Sequence, residues 1–174
     1  MIVFLCEEDI MIHCVIYLAI VGILAFFIGR MLPRTWFHAD TFPFRAFAFE
    51  KNGRFYNRFH ISHWKDILPD MSRIFPSLIM PKKVTGRMNA SQVEQLIQET
   101  CVAEFVHMIL IPIGFTCRTV CTGSASLILS ILFALGNVPF ILIQRYNRPR
   151  LLRLYAILNR SSNILEKHEQ IAGD

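Results

Sequence analysis

The run Ile10-Met11-Ile12-His13-Cys14-Val15-Ile16-Tyr17-Leu18-Ala19-Ile20-Val21-Gly22-Ile23-Leu24-Ala25-Phe26-Phe27-Ile28-Gly29-Arg30-Met31-Leu32 decides how this chain is read. At about 1.5 Å per residue, a helix over 10–32 crosses a hydrocarbon core of about 30 Å. Acidic Glu7, Glu8 and Asp9 precede it, and Arg30, Arg34 and further basic residues follow. A signal peptide has the opposite flanks, with positive charge in front and a small-residue cleavage site behind. The run therefore predicts a retained membrane helix, stopped at Pro33.

Two more spans follow downstream. Ser91-Gln92-Val93-Glu94 matches the capping box, in which a hydroxyl and a carboxylate satisfy each other's open backbone N–H groups. The helix it starts becomes apolar after Thr100 and meets Pro112 and Gly114, which predicts a second span over 101–117. A short turn holding Arg118, Thr119, Thr122 and Gly123 leads to a third span over 124–143. Between the first two spans, residues 34–100 crowd Trp36, Phe37, Phe42, Phe44, Phe47, Phe49 and Phe55 among Arg45, Lys51, Arg54 and Arg58, a mixture that suits the bilayer interface. Asn52-Gly53 signals a turn, and Leu68-Pro69-Asp70, Pro76 and Pro81 break any long helix.

Composition agrees. The chain is 53% hydrophobic, above the 45–50% usual for soluble domains, and its mean hydropathy is +0.42. The five cysteines show neither a CxxC pair nor zinc spacing, and read as small hydrophobes rather than a disulfide framework. The net charge of +5 points to anionic lipid and phosphate rather than nucleic acid, for which no motif stands apart from the membrane segments. If 34–100 and the C-terminus are cytoplasmic, every one of the 18 Lys and Arg except Arg118 lies inside or at the inner boundary. The positive-inside rule then sets the N-terminus outside and the C-terminus in the cytoplasm. The expected fold is an all-α membrane protein forming a single membrane domain over 1–174. It has about three transmembrane helices, an aromatic-rich interfacial segment and a C-terminal interfacial helix over 149–174.

Ionisable groups at membrane depth mark function by default. Glu104 and His107 share one helix face, with Thr100 a turn earlier. Asn137, on the next span, lies at the same depth, roughly 9–11 Å below the cytoplasmic surface. Gly136 and Pro139 beside it suggest a close backbone approach and an open carbonyl. A plainer reading stands alongside, with Glu104 at the headgroup level and His107 in an ordinary interhelical hydrogen bond. At the cytoplasmic end comes Gln144-Arg145-Tyr146-Asn147-Arg148-Pro149-Arg150. Its arginines suit either inner-leaflet anchoring or a phosphate or saccharide site, and Pro149 predicts a bend there. A metal site can be drawn from His60, His63, Glu104 and His107, but the spacing is not a recognised zinc pattern and no metal is expected.

The strings Phe49-Glu50-Lys51-Asn52-Gly53-Arg54-Phe55-Tyr56-Asn57, Trp64-Lys65, Leu68-Pro69, Glu99-Thr100 with Ala103-Glu104 and His107, Asn137-Val138-Pro139, and Gln144 through Arg150 occur in that order. Together, over roughly 47–158, they resemble the glycosyl-4,4'-diaponeurosporenoate acyltransferase family of bacterial membrane enzymes. Val102 and Met108 depart from it, standing where the family commonly has a basic residue and an aromatic. The resemblance implies esterification of a sugar hydroxyl on a carotenoid glycoside, the last step of staphyloxanthin-type synthesis in the bacterial cell membrane.

Acyl transfer to a hydroxyl needs a base for the O–H and donors for the carbonyl oxygen. The expected assignment makes His107 the base, Glu104 its orienting partner and Asn137 a holder of acceptor or oxyanion. Arg145, Asn147, Arg148, Arg150, Lys51 and Lys65 would take the phosphates of an activated donor, with acyl-CoA as co-substrate and no bound cofactor. Gln144, Tyr146, Trp64, Thr100, Glu99 and Asn57 would line the acceptor site. The expected partners are the lipid bilayer, the acyl donor and a glycolipid or carotenoid glycoside acceptor, with the oligomeric state left open. No GxSxG elbow occurs, which favours direct transfer over an acyl-enzyme. Two alternatives remain at this point: another lipid-modifying transferase or hydrolase, possibly metal-dependent, and a non-catalytic lipid-binding subunit.

Overall fold

The computed structural model describes residues 7–65, 88–120 and 123–173. The motifs at Leu68-Pro69-Asp70, Pro76 and Pro81, together with Thr122, Cys6 and Cys121, lie outside the described residues. The chain is an all-α membrane protein. Its helices are α1 (Glu7–Met31), α2 (Ile61–Trp64), α3 (Ala90–Gly114), α4 (Cys117–Val120) and α5 (Ser124–Gly173), with 3-10 turns at Arg34–Trp36, Ala48–Gly53 and Phe55–Phe59. No strand occurs among the described residues. Three stretches are long and apolar enough to cross a bilayer: Met11–Met31, Ala90–Val120 and Ser124–Ile164.

The helix ends follow local chemistry. Leu32 N–H still bonds Ile28 C=O at 3.1 Å, and Pro33 then closes α1. At the start of α3 the cap is Asn89, not Ser91. Asn89 Oδ1 accepts from Gln92 N–H at 2.9 Å, and Gln92 Oε1 accepts from Asn89 N–H at 3.1 Å. The reciprocal box is therefore real but begins two residues earlier than expected. Asn caps as well as Ser does, and the earlier start adds helical hydrogen bonds. Ser91 instead donates to Asn89 Oδ1 at 2.9 Å. Pro112 sits in the last turn of α3, which ends at Gly114 with Phe115 N–H bonded to Pro112 C=O. Gly123, at φ +120°, makes the turn into α5 in a conformation open to glycine.

The bend expected at Pro149 is absent, and α5 runs helically from Ser124 to Gly173. The C-terminal helix is thus the continuation of the third span. Proline only biases the preceding residue away from helix. Here both flanks are anchored: Arg148 by bonds to Phe44 and Thr100, Arg150 by a 2.6 Å bond to Tyr146 C=O.

The chain divides into two compact units. The first joins residues up to Pro33 with Val102–Leu142. Its contacts run through small residues. A Cβ on Gly29 would come within 2.7 Å of Val106 Cγ2, and one on Gly114 within 2.5 Å of the Phe133 ring. Ser130 Oγ donates to Gly114 C=O at 3.0 Å. Cys14, Leu18 and Cys117 form a buried cluster flanked by Tyr17, Leu129 and Phe133. Thr116 Oγ1 donates to Ile113 C=O, so Tyr17 O–H donates to Thr116 Oγ1, at 2.6 Å. Close approach through small residues with a few hydrogen bonds is how helices associate in lipid. Outward, α1 shows Ile16, Ile20, Leu24, Phe27 and Ile28, and α5 shows Ile128, Leu132 and Leu135, a surface suited to hydrocarbon.

Gly136 is exposed, and a Cβ there would meet nothing within 4 Å, contrary to the close approach expected from sequence. Nothing in the packing needs its hydrogen side chain. Gly136→Ala is therefore expected to raise stability by about 0.5–1 kcal/mol, through a less flexible unfolded chain and higher helix propensity. Thermal unfolding in detergent checks this, and a lower midpoint would contradict the open surface.

The second unit joins Arg34–Cys101 with the chain from Ile143 onward. Its aromatic segment is a chain of ring contacts: Phe47 with Phe49, Phe49 with Phe55, and Phe55 with Phe59, centroids 5.4–5.7 Å apart. Lys51, Asn52 and Gly53 take left-handed φ in succession. This tight reversal brings Gly53 against Pro149, where a Cβ would lie 3.4 Å from Pro149 Cγ. Asn52-Gly53 is the turn its sequence signals.

Candidate active site

In the first unit, α3 carries Glu104 and His107, and α5 carries Asn137. His107 Nδ1 and Asn137 Oδ1 are 2.7 Å apart. Asn137 Nδ2 donates to Phe133 C=O, one turn back on its own helix, at 2.8 Å. That second bond fixes the amide, because swapping its ends would set two acceptors face to face. Oδ1 cannot donate, so Nδ1 carries the proton. In neutral His107 the lone pair therefore sits on Nε2. The Phe140 ring stacks on the imidazole, centroids 4.6 Å apart and 8° from parallel. Glu104 is wholly buried, and every buried side-chain N or O among the described residues has a hydrogen-bond partner.

The sequence pairing of His107 with Asn137 is thus present, in a different arrangement. Asn137 occupies the Nδ1 side of the imidazole. Asn137 thus places its carbonyl on His107 and its amide on Phe133 C=O.

In the second unit, two arginines of α5 gather the aromatic segment. Arg145 donates to Glu50 Oε1 and, at 2.6 Å, to Pro43 C=O, and lies over the Phe47 ring. Arg148 is 3% exposed. It donates to Thr100 Oγ1 at 3.0 Å, to Thr100 C=O at 3.1 Å and to Phe44 C=O at 2.7 Å. Thr100 Oγ1 passes its own proton to Ile97 C=O. These guanidiniums are engaged by the protein's own acceptors.

Glu50, only 2% exposed, is the residue sequence reasoning missed. Tyr56 O–H donates to its Oε1 at 2.9 Å. Burial, and then the adjacent Glu50 carboxylate, push the Tyr56 phenol well above its usual range, so it stays a neutral donor. A signal existed: Glu50 is the lone carboxylate in residues 41–65, set between aromatics.

The other expected residues divide by exposure. Arg150 is exposed, its guanidinium 3.5 Å from the centroid of the buried Tyr146 ring, and Lys65 Nζ lies 5.5 Å from the same centroid. Lys51 and Asn57 are exposed, Asn147 is half-buried and Gln144 is buried. Trp64 Nε1 donates to Phe59 C=O at 2.7 Å, and Glu99 pairs with Arg34 at 2.7 Å. The His60 and His63 rings are 6.0 Å apart, and no group of three or more possible metal-ligating side chains occurs among the described residues.

The family model of glycosyl-4,4'-diaponeurosporenoate acyltransferase matches residues 33–157. Proteins of that name from Staphylococcus aureus strains N315, Newman and USA300 are each 32% identical to the chain over 161 residues, covering 90% of it and 92% of their own length. The likeness therefore extends beyond 47–158, the range legible from motifs. No solved structure matches the chain.

Proposed function

This chain belongs to the glycosyl-4,4'-diaponeurosporenoate acyltransferase family and is an acyltransferase, and from that premise we propose its substrates, its catalytic base and its orientation. The acceptor is a sugar hydroxyl on a membrane-borne glycolipid such as a carotenoid glycoside. The donor is an activated fatty acyl group, carried as acyl-CoA. The acceptor oxygen attacks the thioester carbonyl; the new C–O ester bond forms as the C–S bond breaks. His107 Nε2 takes the hydroxyl proton and returns it to the departing thiolate. Asn137 keeps Nδ1 protonated, so that Nε2 is the basic nitrogen. Glu104, buried one turn away, lies with this pair in the same unit. The excess of Lys and Arg in 34–100 and beyond 143 supports an N-terminus outside and a C-terminus inside the cell.

The observation that carries this reading is the 2.7 Å contact of His107 Nδ1 with an amide whose orientation is itself fixed. Lipid mass spectrometry of cells that make a carotenoid glycoside, with and without the protein, tests it. A product heavier than the glycoside by one fatty acyl group is expected. Identical glycolipid profiles would refute the reading.

A further inference from the structure

With Arg145 and Arg148 engaged internally, a different set of cations stands out in the second unit. Three of them, Lys65, Arg150 and Arg153, lie along α5 between Tyr146 and Arg153, and Lys51 begins the reversal packed beside that stretch. Lys65 Nζ and Arg150 lie over the Tyr146 ring. Gly53 packs beside the same turn, a Cβ there being 3.8 Å from Tyr146 C=O, and Lys51 opens the left-handed reversal that ends at this glycine. Arg153 closes the arc, donating to Asn52 C=O at 3.1 Å. Lys51, Arg150 and Arg153 are exposed and Lys65 is half-buried. Their recorded contacts are with aromatic rings and backbone carbonyls, and among the described residues no carboxylate pairs with them. The nearby carboxylate, Glu50, is buried and taken by Arg145.

Several cations on anchored backbone, with no carboxylate paired to them among the described residues, match an ionised ligand bearing more than one negative charge. Tyr146 orients Arg150 by stacking and by the bond from Arg150 to its carbonyl, so the guanidinium fork is largely pre-organised. We propose that Lys51, Lys65, Arg150 and Arg153 bind the phosphate esters of the acyl donor's carrier, the diphosphate and ribose phosphate of coenzyme A. The choice of coenzyme A over a phospholipid headgroup, which offers the same chemistry, rests on the acyl-transfer reading above.

The test uses the full chain in phosphatidylcholine nanodiscs, with coenzyme A itself as probe in isothermal titration calorimetry. Wild-type binding should weaken as salt is raised, because the contacts are exposed. Lys51→Gln/Arg150→Gln together should raise Kd by at least about tenfold, the loss expected for charge-assisted bonds, and Arg150→Lys alone should raise it less. An unchanged Kd in the double variant overturns the proposal. A second arm uses nanodiscs containing phosphatidylglycerol, with native mass spectrometry of the retained lipid. Loss of phosphatidylglycerol without loss of coenzyme A binding assigns the cations to headgroups and also overturns it. The acyl-transfer reading is judged separately. Wild-type protein that binds coenzyme A in a salt-sensitive way yet transfers nothing refutes that reading alone. Transfer with an unaltered KM for acyl-CoA in the double variant refutes the donor site alone.

Discussion

His107→Ala is expected to lower acyl transfer by about 10²–10⁴-fold while leaving the protein in the membrane, the usual contribution of a positioned general base. The imidazole is half-buried and stacked on Phe140, and its removal leaves the apolar composition of the three spans unchanged, so membrane insertion should survive. Asn137→Ala provides the matching test. It removes the acceptor on Nδ1, letting the proton reside on either nitrogen, and should reduce the rate by about 10²-fold or more. The two variants differ in their pH profiles. The rise in kcat/KM with pH that reports the base persists, at a lower rate, in Asn137→Ala and vanishes in His107→Ala. Near-normal turnover in His107→Ala would remove the residue from the mechanism.

The second large effect is on stability. Arg145→Ala should destabilise the protein by about 3–5 kcal/mol, because it leaves the Glu50 carboxylate buried with Tyr56 as its remaining recorded donor. Both partners are largely shielded, at 10% and 2% side-chain exposure, so solvent does little to soften the loss. Replacing both together, as Glu50→Leu/Arg145→Leu, should cost less than Arg145→Ala alone, since no charge is left unpaired. Unfolding midpoints in detergent, with protease resistance as a second probe, check both. A double variant less stable than the single would show that the pair's value lies in its geometry rather than in mutual neutralisation.

These two predictions differ in how far sequence anticipates them. The spans were legible because lipid selects composition locally, and a run such as 10–32 carries its meaning within itself. The pairing of His107 with Asn137 was also legible, because a helical hairpin sets residues at equal depth face to face. The bond from Asn137 to Phe133 C=O was not, because composition does not reveal which acceptor an amide finds on its own helix. Asn89 and Ser91 are both good caps two residues apart, and local preference alone does not separate them. The arginines were hardest to read. Whether a guanidinium faces solvent or a backbone carbonyl depends on chain brought from far away. Arg145 meets Glu50 across 95 residues, and Arg148 meets Phe44 across 104. At Pro149 the same distant anchors overrode a local bias toward bending.

The stacked Phe140 bears on fidelity. An activated acyl group has water as a competing nucleophile, and a base that serves a sugar hydroxyl serves water equally well. Phe140 covers one face of the imidazole at 4.6 Å, and the helices that carry His107 and Asn137 turn apolar side chains outward. Water is scarce in such surroundings. In the proposed mechanism the partition between ester formation and wasteful hydrolysis would be set by which hydroxyl reaches Nε2, and a lipid-borne acceptor would gain by arriving through apolar surroundings.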